Sequence, residues 1–352
     1  PSSWNEDLST KPDCQFDYAY KMGLALKSRR PPVQRPYMTL PFQLQENSAE
    51  WFAAYGQFYA YCHTLADTQI NNILQALDDS GMRDDTIVVF LSDHGEYGAA
   101  HGGMVEKWHT AYDEILHVPF VVNSASINTE NSVRYVDQLT SHIDVLPTLL
   151  GLAGVNTAAR ETLGQSIPDQ TYEPLPGADL SPVINDPQQT VVTANGEVRE
   201  AVLFMTDDTI TQYLQGEQAP TAYEVFEAEV KEQRTSGVPL TPGSVTQPCH
   251  IRCARTQEWK LARYFDPLNR VSDQWELYYL ANDPEELINL CAWDAEGQPV
   301  LCPSRMPEDW GLSVEKLEQA LLQMRKQLIA LEEQYLGGPK PVTQPYTLEA
   351  QE

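Results

Sequence analysis

The stretch that decides the fold is TIVVFLSDHGEYGAAHGGMVEKWHTAYDE, residues Thr86 to Glu114. Its first part, Thr86 to Leu91, is a continuous β-branched and apolar run, a pattern typical of a parallel strand buried on both faces. The part that follows crowds carboxylates, three imidazoles and an ammonium just past the predicted strand. Since ligands bind at the carboxyl ends of strands in open α/β sheets, this composition predicts a site for a metal ion and an anion.

Asp93 and His94 are the candidate metal ligands. Asp93 offers a hard carboxylate oxygen and His94 an imidazole nitrogen, and adjacent residues at the exit of a strand can both turn toward one ion. An isolated Asp-His pair is usually a surface turn. Here the pair follows an apolar run and precedes Gly95, with Lys107 downstream, and this context favours metal binding.

These residues resemble the sulfatases of the alkaline-phosphatase-like superfamily, which also contains phosphonate monoester and phosphodiester hydrolases. Lys107 is similar to the lysine of that family, and the resemblance continues through most of the chain. Several segments in family order are stronger evidence than one short motif. The similar segments are Asp67–Leu77, Asp84–Glu96, Tyr112–Val122, Ser141–Gly154, Arg255–Leu261 and Glu276–Leu290.

The resemblance implies an α/β fold, an alkaline-phosphatase-like three-layer core with a mostly parallel sheet, here incomplete. A smaller C-terminal α+β subdomain would follow it. We expect residues 1–195 to form the C-terminal part of the core with the metal site. Residues 196–352 would supply the remaining core strand or strands and an antiparallel-sheet subdomain with a terminal helix.

Local patterns predict three elements of this fold. Ser48 to Ser80 carries apolar residues at helical spacing and predicts a core helix. Ala201 to Met205 predicts a strand. Gly311 to Tyr335 contains an amphipathic terminal helix, which is expected to pack on the sheet of its own domain, with a coiled-coil partner as the alternative.

The resemblance implies metal-dependent hydrolysis of a sulfate ester, carried out by a formylglycine nucleophile. That residue is made from the first position of Cys-x-Pro-x-Arg or Ser-x-Pro-x-Arg, and neither pattern occurs in the 352 residues. The nearest string, Leu301 to Arg305, has Leu at the modified position and is interpreted as an unrelated loop. We therefore expect this chain to be a downstream portion that lacks the N-terminal segment with the nucleophile, and to be inactive alone.

The family's other site residues are carried over position by position. Lys107 would contact the non-bridging oxygens of the ester and neutralise charge in the transition state. His109 would bind substrate and donate a proton to the leaving oxygen, or simply hydrogen-bond the loop. His101 is a further substrate-binding candidate, with a structural bond to the backbone as the alternative. Glu96 and His117 are expected to support the site and to flank a strand.

One divalent metal ion is implied as the cofactor. Calcium is the first expectation, and manganese is the rival because an imidazole suits a transition ion better than calcium. Two other functions stay open: a phosphonate monoester or phosphodiester hydrolase, which His94 mildly favours, and a non-catalytic metal-binding fragment or interaction module. The expected substrate is a small-molecule or saccharide sulfate ester.

Composition limits the partners and the location. A formal net charge of −27 leaves no basic face for phosphates, so nucleic-acid binding is not expected. No apolar run is long enough to span a membrane. Cys291 and Cys302 flank a predicted turn, and a disulfide across that hairpin is plausible, with free thiols as the alternative. Because disulfides persist in oxidising compartments, a periplasmic or secreted location is favoured.

Overall fold

The computed structural model describes residues 1–27, 48–127, 133–168, 171–207, 221–243 and 245–338. Its helices are α1 (Asp13–Lys27), α2 (Ser48–Ser80), α3 (Ala100–Gly103), α4 (Asp113–Leu116), α5 (Val145–Leu152), α6 (Thr157–Gln165), α7 (Ser181–Asn185), α8 (Thr221–Thr235) and α9 (Val314–Leu336). Its strands are β1 (Val88–Leu91), β2 (Phe120–Asn123), β3 (Val202–Thr206), β4 (His250–Arg255), β5 (Trp259–Phe265), β6 (Gln274–Tyr279), β7 (Cys291–Trp293) and β8 (Pro299–Leu301). None of the helices among these residues has the length and apolar character needed to cross a bilayer.

The C-terminal half is built on an antiparallel sheet of four strands in the order β3, β4, β5, β6. Helix α9 packs on this sheet. Ser313 caps its start by accepting a hydrogen bond from the amide of Lys316, and Gly337 ends it in the left-handed conformation. The predicted strand and terminal helix are thus confirmed. The buried apolar residues of α9 are Leu317, Ala320, Leu321, Met324, Leu328 and Leu331.

The strand that leads to the candidate site differs from its prediction. Strand β1 pairs antiparallel with β2, and in the described ranges no strand pairs with its other edge. Phe90 is 44% exposed and Leu91 is 38% exposed. The expectation of a parallel strand buried on both faces is therefore wrong for this part of the chain. The strand pairs antiparallel, and the described residues do not cover the side chains of Phe90 and Leu91.

Helix α2 differs from its prediction in the same way. Tyr55 is buried, but Tyr61, Leu65 and Ile73 are all exposed. The apolar periodicity predicts the helix correctly, but the prediction that this helix lies in the core is wrong for these three residues. An apolar stripe shows which face of a helix can be buried, whereas burial itself requires an opposing surface.

Two main apolar cores hold the structure together. The first joins Tyr18 of α1 and Tyr112 to Ile251 of β4 and Tyr264 of β5. Tyr112 ends the segment between β1 and α4, residues 92–112, which is called the site loop below. It therefore contains residues from both sides of the predicted boundary at residue 195, and that boundary stays a prediction. The second core lies between the four-stranded sheet and α9 and includes Leu261, Leu277 and Leu317.

The predicted hairpin near the C-terminus is present, but the predicted disulfide is not. Strands β7 and β8 pair antiparallel, and Cys291 lies opposite Leu301. Cys302 is one residue farther along, and successive side chains of an extended chain point to opposite sides. Cys291 is buried, Cys302 is partly exposed, and both thiols are free. Cys291 and Cys302 therefore give no support to the expectation of a periplasmic or secreted location.

Candidate metal, lysine and histidine site

Asp93 and His94 lie together just beyond β1. The backbone amide of His94 donates to Asp93 Oδ1 at 3.0 Å, and His94 Nε2 lies 3.3 Å from Asp93 Oδ2. The Asp93 side chain is 84% exposed. The pKa of its carboxyl is lowered, first by that amide hydrogen bond and more weakly by the charge of Lys107. Asp93 and His94 are thus in direct contact, and Lys107 lies near enough for its charge to act on the Asp93 carboxyl.

The orientation of His94 leaves one ring nitrogen available. Its Nδ1 lies 2.8 Å from the carbonyl oxygen of Gly95, and since a carbonyl only accepts, Nδ1 carries the proton of that hydrogen bond. In the neutral ring Nε2 then keeps its lone pair, next to Asp93 Oδ2. This is the arrangement by which proteins orient a metal-binding histidine.

These two donors fit one side of a divalent ion. They do not complete its coordination, because calcium takes 6–8 oxygen ligands and the described ranges contain no group of three or more His, Cys, Asp or Glu placed to hold an ion. Asp93 and His94 would therefore need further ligands from elsewhere.

Backbone contacts fix the segment that follows this pair. The amide of Gly95 donates to the carbonyl of Ile115, and the amide of Glu96 donates to that of Glu114. A Cβ on Gly95 would lie 1.8 Å from the Glu114 carbonyl oxygen, so only glycine allows this close approach. His142, just before α5, reaches the carbonyl of Ser92 with its Nε2 at 2.8 Å, which ties the loop to the helix behind it.

Lys107 lies on the returning arm of the loop. Its Nζ stands 5.2 Å from the ring centroid of Trp108, and the side chain is partly exposed. Tyr97 holds this part of the backbone in place, because its hydroxyl donates to the carbonyl of Trp108 at 2.8 Å. Tyr18 of α1 donates to the carbonyl of Val105 at 2.6 Å. The ammonium is thus carried on an anchored backbone and stays accessible to an anion.

His101 is not available to a substrate. It is completely buried, with Nδ1 2.7 Å from Glu6 and Nε2 3.3 Å from Glu114, and its ring stacks on Tyr112 at 3.6 Å. Burial lowers the pKa of His101, but the hydrogen bonds and charges of Glu114 and Glu6 outweigh it and raise that pKa to about 9. The substrate-binding assignment of His101 is therefore replaced by a structural one, an imidazolium between two carboxylates.

His109 is also turned inward. It is 4% exposed, and its ring lies edge-on to Tyr18 at 5.3 Å. Burial, with a smaller contribution from His250, lowers the pKa of His109 to about 3, so the ring is neutral. The structure does not place this imidazole with Asp93 and His94, and proton donation by His109 is unsupported by its position.

A buried ionic network joins the first residue of α4 to the C-terminal sheet. Lys260 of β5 lies 2.6 Å from Asp113 and 2.7 Å from Glu286, and Arg255 lies 2.9 Å from Asp113. Burial alone raises the pKa of Asp113, but these two cations reverse the shift and hold its pKa well below the ordinary value. The network was not identified from sequence, because its members are up to 173 residues apart.

Tyr55 was likewise missed. Its hydroxyl donates to Glu96 at 2.6 Å and so connects α2 with the site loop. In the sequence Tyr55 belongs to the apolar stripe of α2, and nothing in that pattern distinguishes it from a core residue.

The chain matches the family model described as Sulfatase over residues 30–155. It is 34% identical over 130 residues to the ulvan-active sulfatase of Formosa agariphila, covering 37% of this chain and 22% of that protein. It is 34% identical over 119 residues to the Δ4,5-hexuronate-2-O-sulfatase of Bacteroides thetaiotaomicron, covering 33% of this chain and 23% of that protein. The chain thus spans well under two thirds of the length of these relatives.

A solved structure described as a complex with its substrate D-glucosamine-2-N,6-O-disulfate shares the fold. The superposition has a TM-score of 0.55 at 19% sequence identity and covers 98% of this chain and 61% of the other. The predicted fold class is confirmed by this likeness. Residues 30–155 thus match the sulfatase family, and the likeness to this structure shows that the chain shares the fold of such proteins.

Proposed function

We propose that this chain supplies the metal-ligand and lysine side of the active site of a sulfuric ester hydrolase. The observation that carries the proposal is the contact between His94 Nε2 and Asp93 Oδ2, 3.3 Å apart, with the partly exposed Lys107 near enough for its charge to act on the Asp93 carboxyl. The names of two relatives, an ulvan-active sulfatase and a hexuronate sulfatase, support a sulfate ester on a saccharide as the substrate.

In this mechanism Lys107 binds the non-bridging oxygens of the ester. Its compact ammonium neutralises the charge that grows on them as the ester bond breaks. Asp93 and His94 would hold a divalent ion, calcium or manganese. Such an ion supplies electrostatic stabilisation of the ester oxygens and lowers the pKa of an attacking hydroxyl.

We further propose that the nucleophile is a formylglycine on a segment N-terminal to residue 1, because no Cys-x-Pro-x-Arg or Ser-x-Pro-x-Arg pattern occurs in these residues. The same segment would supply the missing metal ligands. A periplasmic or secreted location is part of the same proposal.

The test compares this chain with an enzyme that also contains the N-terminal segment. We expect the chain alone to hydrolyse neither an aryl sulfate nor a phosphodiester, because the proposed nucleophile and the further metal ligands lie outside it. The complete enzyme should turn over the sulfate ester. Lys107→Ala should then lower its kcat by about a hundredfold, the scale of losing one preorganised charge donor.

Three outcomes would contradict the proposal. Normal turnover by the 352-residue chain would show that the nucleophile lies within it. Full activity of the complete Lys107→Ala enzyme would remove the role of the ammonium. Preference for a phosphonate monoester over the sulfate ester would assign the site to the other hydrolase class. Lys316→Ala, on the surface of α9, is the matched control for loss of a lysine.

A further inference from the structure

One carboxylate oxygen ties together the two arms of the site loop. Glu96 Oε1 accepts hydrogen bonds from the hydroxyl of Tyr55 at 2.6 Å, the amide of Glu106 at 2.8 Å and the amide of Gly98 at 3.3 Å. The first donor belongs to α2, and the other two belong to the loop itself. Hydrogen bonds to an ionised acceptor are stronger than those between neutral groups.

The placement of these contacts connects the metal ligands with the lysine. Glu96 comes two residues after His94, and Glu106 comes immediately before Lys107. A backbone bond from the amide of Tyr97 to the carbonyl of Glu106, at 3.1 Å, runs alongside the carboxylate contact. The position of Lys107 relative to His94 is therefore set at this junction.

The backbone around Lys107 needs such support. Glu106 and His109 both have a φ of +69°, a left-handed conformation that non-glycine residues rarely adopt. Strained residues of this kind persist where the surroundings over-determine them, and they cluster at functional sites. The Glu106 amide contacts Glu96 from this left-handed conformation, so the carboxylate stabilises the strained turn that presents Lys107.

We propose that Glu96 is a positioning residue. Its carboxylate holds the Glu106 turn and thereby directs the Lys107 ammonium toward Asp93 and His94, while Tyr55 couples this geometry to α2. The inference rests on the proposed role of Lys107. The competing interpretation is a loop contact that stabilises the fold without acting through the lysine.

The first experiment measures the contact itself in the 352-residue chain. In Glu96→Ala, amide hydrogen exchange at Gly98 and Glu106 should accelerate by about tenfold or more, since each amide loses its acceptor. Glu96→Gln keeps an amide oxygen and should retain most of the protection, and Tyr55→Phe should give an intermediate rate. Glu106→Ala removes a neighbouring exposed carboxylate and keeps the backbone amide, so it serves as the charge control. Unchanged exchange in Glu96→Ala would overturn the inference.

The second experiment separates positioning from plain stabilisation in the complete enzyme. Glu96→Ala should lower kcat by about 10- to 100-fold, the scale of displacing a reacting group by about an ångström, with Glu96→Gln restoring most of it. In a Lys107→Ala background, Glu96→Ala should lower kcat no further, because its effect passes through the lysine.

The two proposals fail in different ways. An equal fall of kcat from Glu96→Ala in both backgrounds would show a merely structural role and would overturn the inference while leaving Lys107 in place. Full turnover of Lys107→Ala alone would instead overturn the proposed function.

Discussion

His101 is buried between two carboxylates, although its neighbours in the sequence indicate an exposed loop. In the sequence it lies among small residues on a glycine-rich loop. In the structure it is clamped between Glu6 and Glu114, whose sequence separations from it are 95 and 13 residues. The contact with Glu6 forms because the first residues of this chain lie against residues near position 101, and no local sequence pattern predicts that contact.

The raised pKa of His101, about 9, makes stability depend on pH. Because the folded-state pKa lies above the unfolded value of 6.5, the contribution is complete below pH 6.5 and is lost as pH rises toward 9. We expect a loss of about 3 kcal/mol in the free energy of unfolding across this window, which urea titrations at several pH values would measure.

His101→Gln should show a flatter dependence over the same range. His63→Gln, on the exposed surface of α2, should keep the wild-type slope. Equal slopes for wild type and His101→Gln would contradict the assignment of His101 as a buried imidazolium.

Gly95 gives a second prediction at this scale. Gly95→Ala places a Cβ 1.8 Å from the Glu114 carbonyl oxygen, so backbone must move. We expect a destabilisation of about 2–4 kcal/mol, at the high end for single substitutions. Gly56→Ala in α2 meets nothing within 4 Å and should leave thermal stability unchanged or raise it. Equal melting temperatures for Gly95→Ala and wild type would refute the close approach.

Among the elements, α9 was predictable and β1 was only partly so. The apolar stripe, the Ser313 cap and the terminal Gly337 are all local features, and the helix follows them closely. For β1, composition predicted the strand, whereas its antiparallel partner and its exposure depend on distant chain segments. The local sequence predicts whether a segment is a helix or a strand, but it does not predict which strand it pairs with or whether it is buried.

The two faces of α9 supply a matched comparison. Leu328 is 2% exposed in the core beneath the sheet, whereas Leu322 is 56% exposed. Leu328→Ala should lower the free energy of unfolding by about 2–5 kcal/mol through lost burial and a residual cavity. Leu322→Ala should change it by less than about 0.5 kcal/mol. Similar effects of the two substitutions in denaturant titrations would argue against the packing of α9 on its own sheet.

For the candidate site, the sequence resemblance predicts Asp93, His94 and Lys107. The structure shows Asp93 and His94 in contact, and the roles of all three residues stay a prediction. The resemblance did not reveal that His101 and His109 are interior residues, because a histidine on a glycine-rich loop looks the same in sequence whether it faces solvent or a buried carboxylate. Burial is a property of the whole molecule.

At the scale of the molecule, four of the described elements expose large apolar side chains. Those on α2, β1, β2 and α5 are Tyr59, Tyr61, Leu65, Ile73, Phe90, Leu91, Val121, Leu146 and Leu149. Apolar side chains exposed to water promote association where they adjoin one another.

We therefore expect the 352-residue chain to self-associate at micromolar concentration, as measured by light scattering, and to bind an environment-sensitive apolar dye. Leu65→Glu with Ile73→Glu should reduce both. The matched control is Leu163→Glu on α6, which changes charge at another exposed leucine. A monodisperse, dye-free wild-type chain would contradict the expectation.

The cysteines have a practical consequence for following how the molecule opens. Cys62 on α2 is exposed, so a thiol reagent should modify it quickly under native conditions. Cys14, Cys249 and Cys253 lie in the first core, and Cys291 lies in the second. Once Cys62 and the partly exposed Cys302 are blocked, the labelling kinetics of these interior thiols report on each core separately. A difference in rate would show that one core opens before the other.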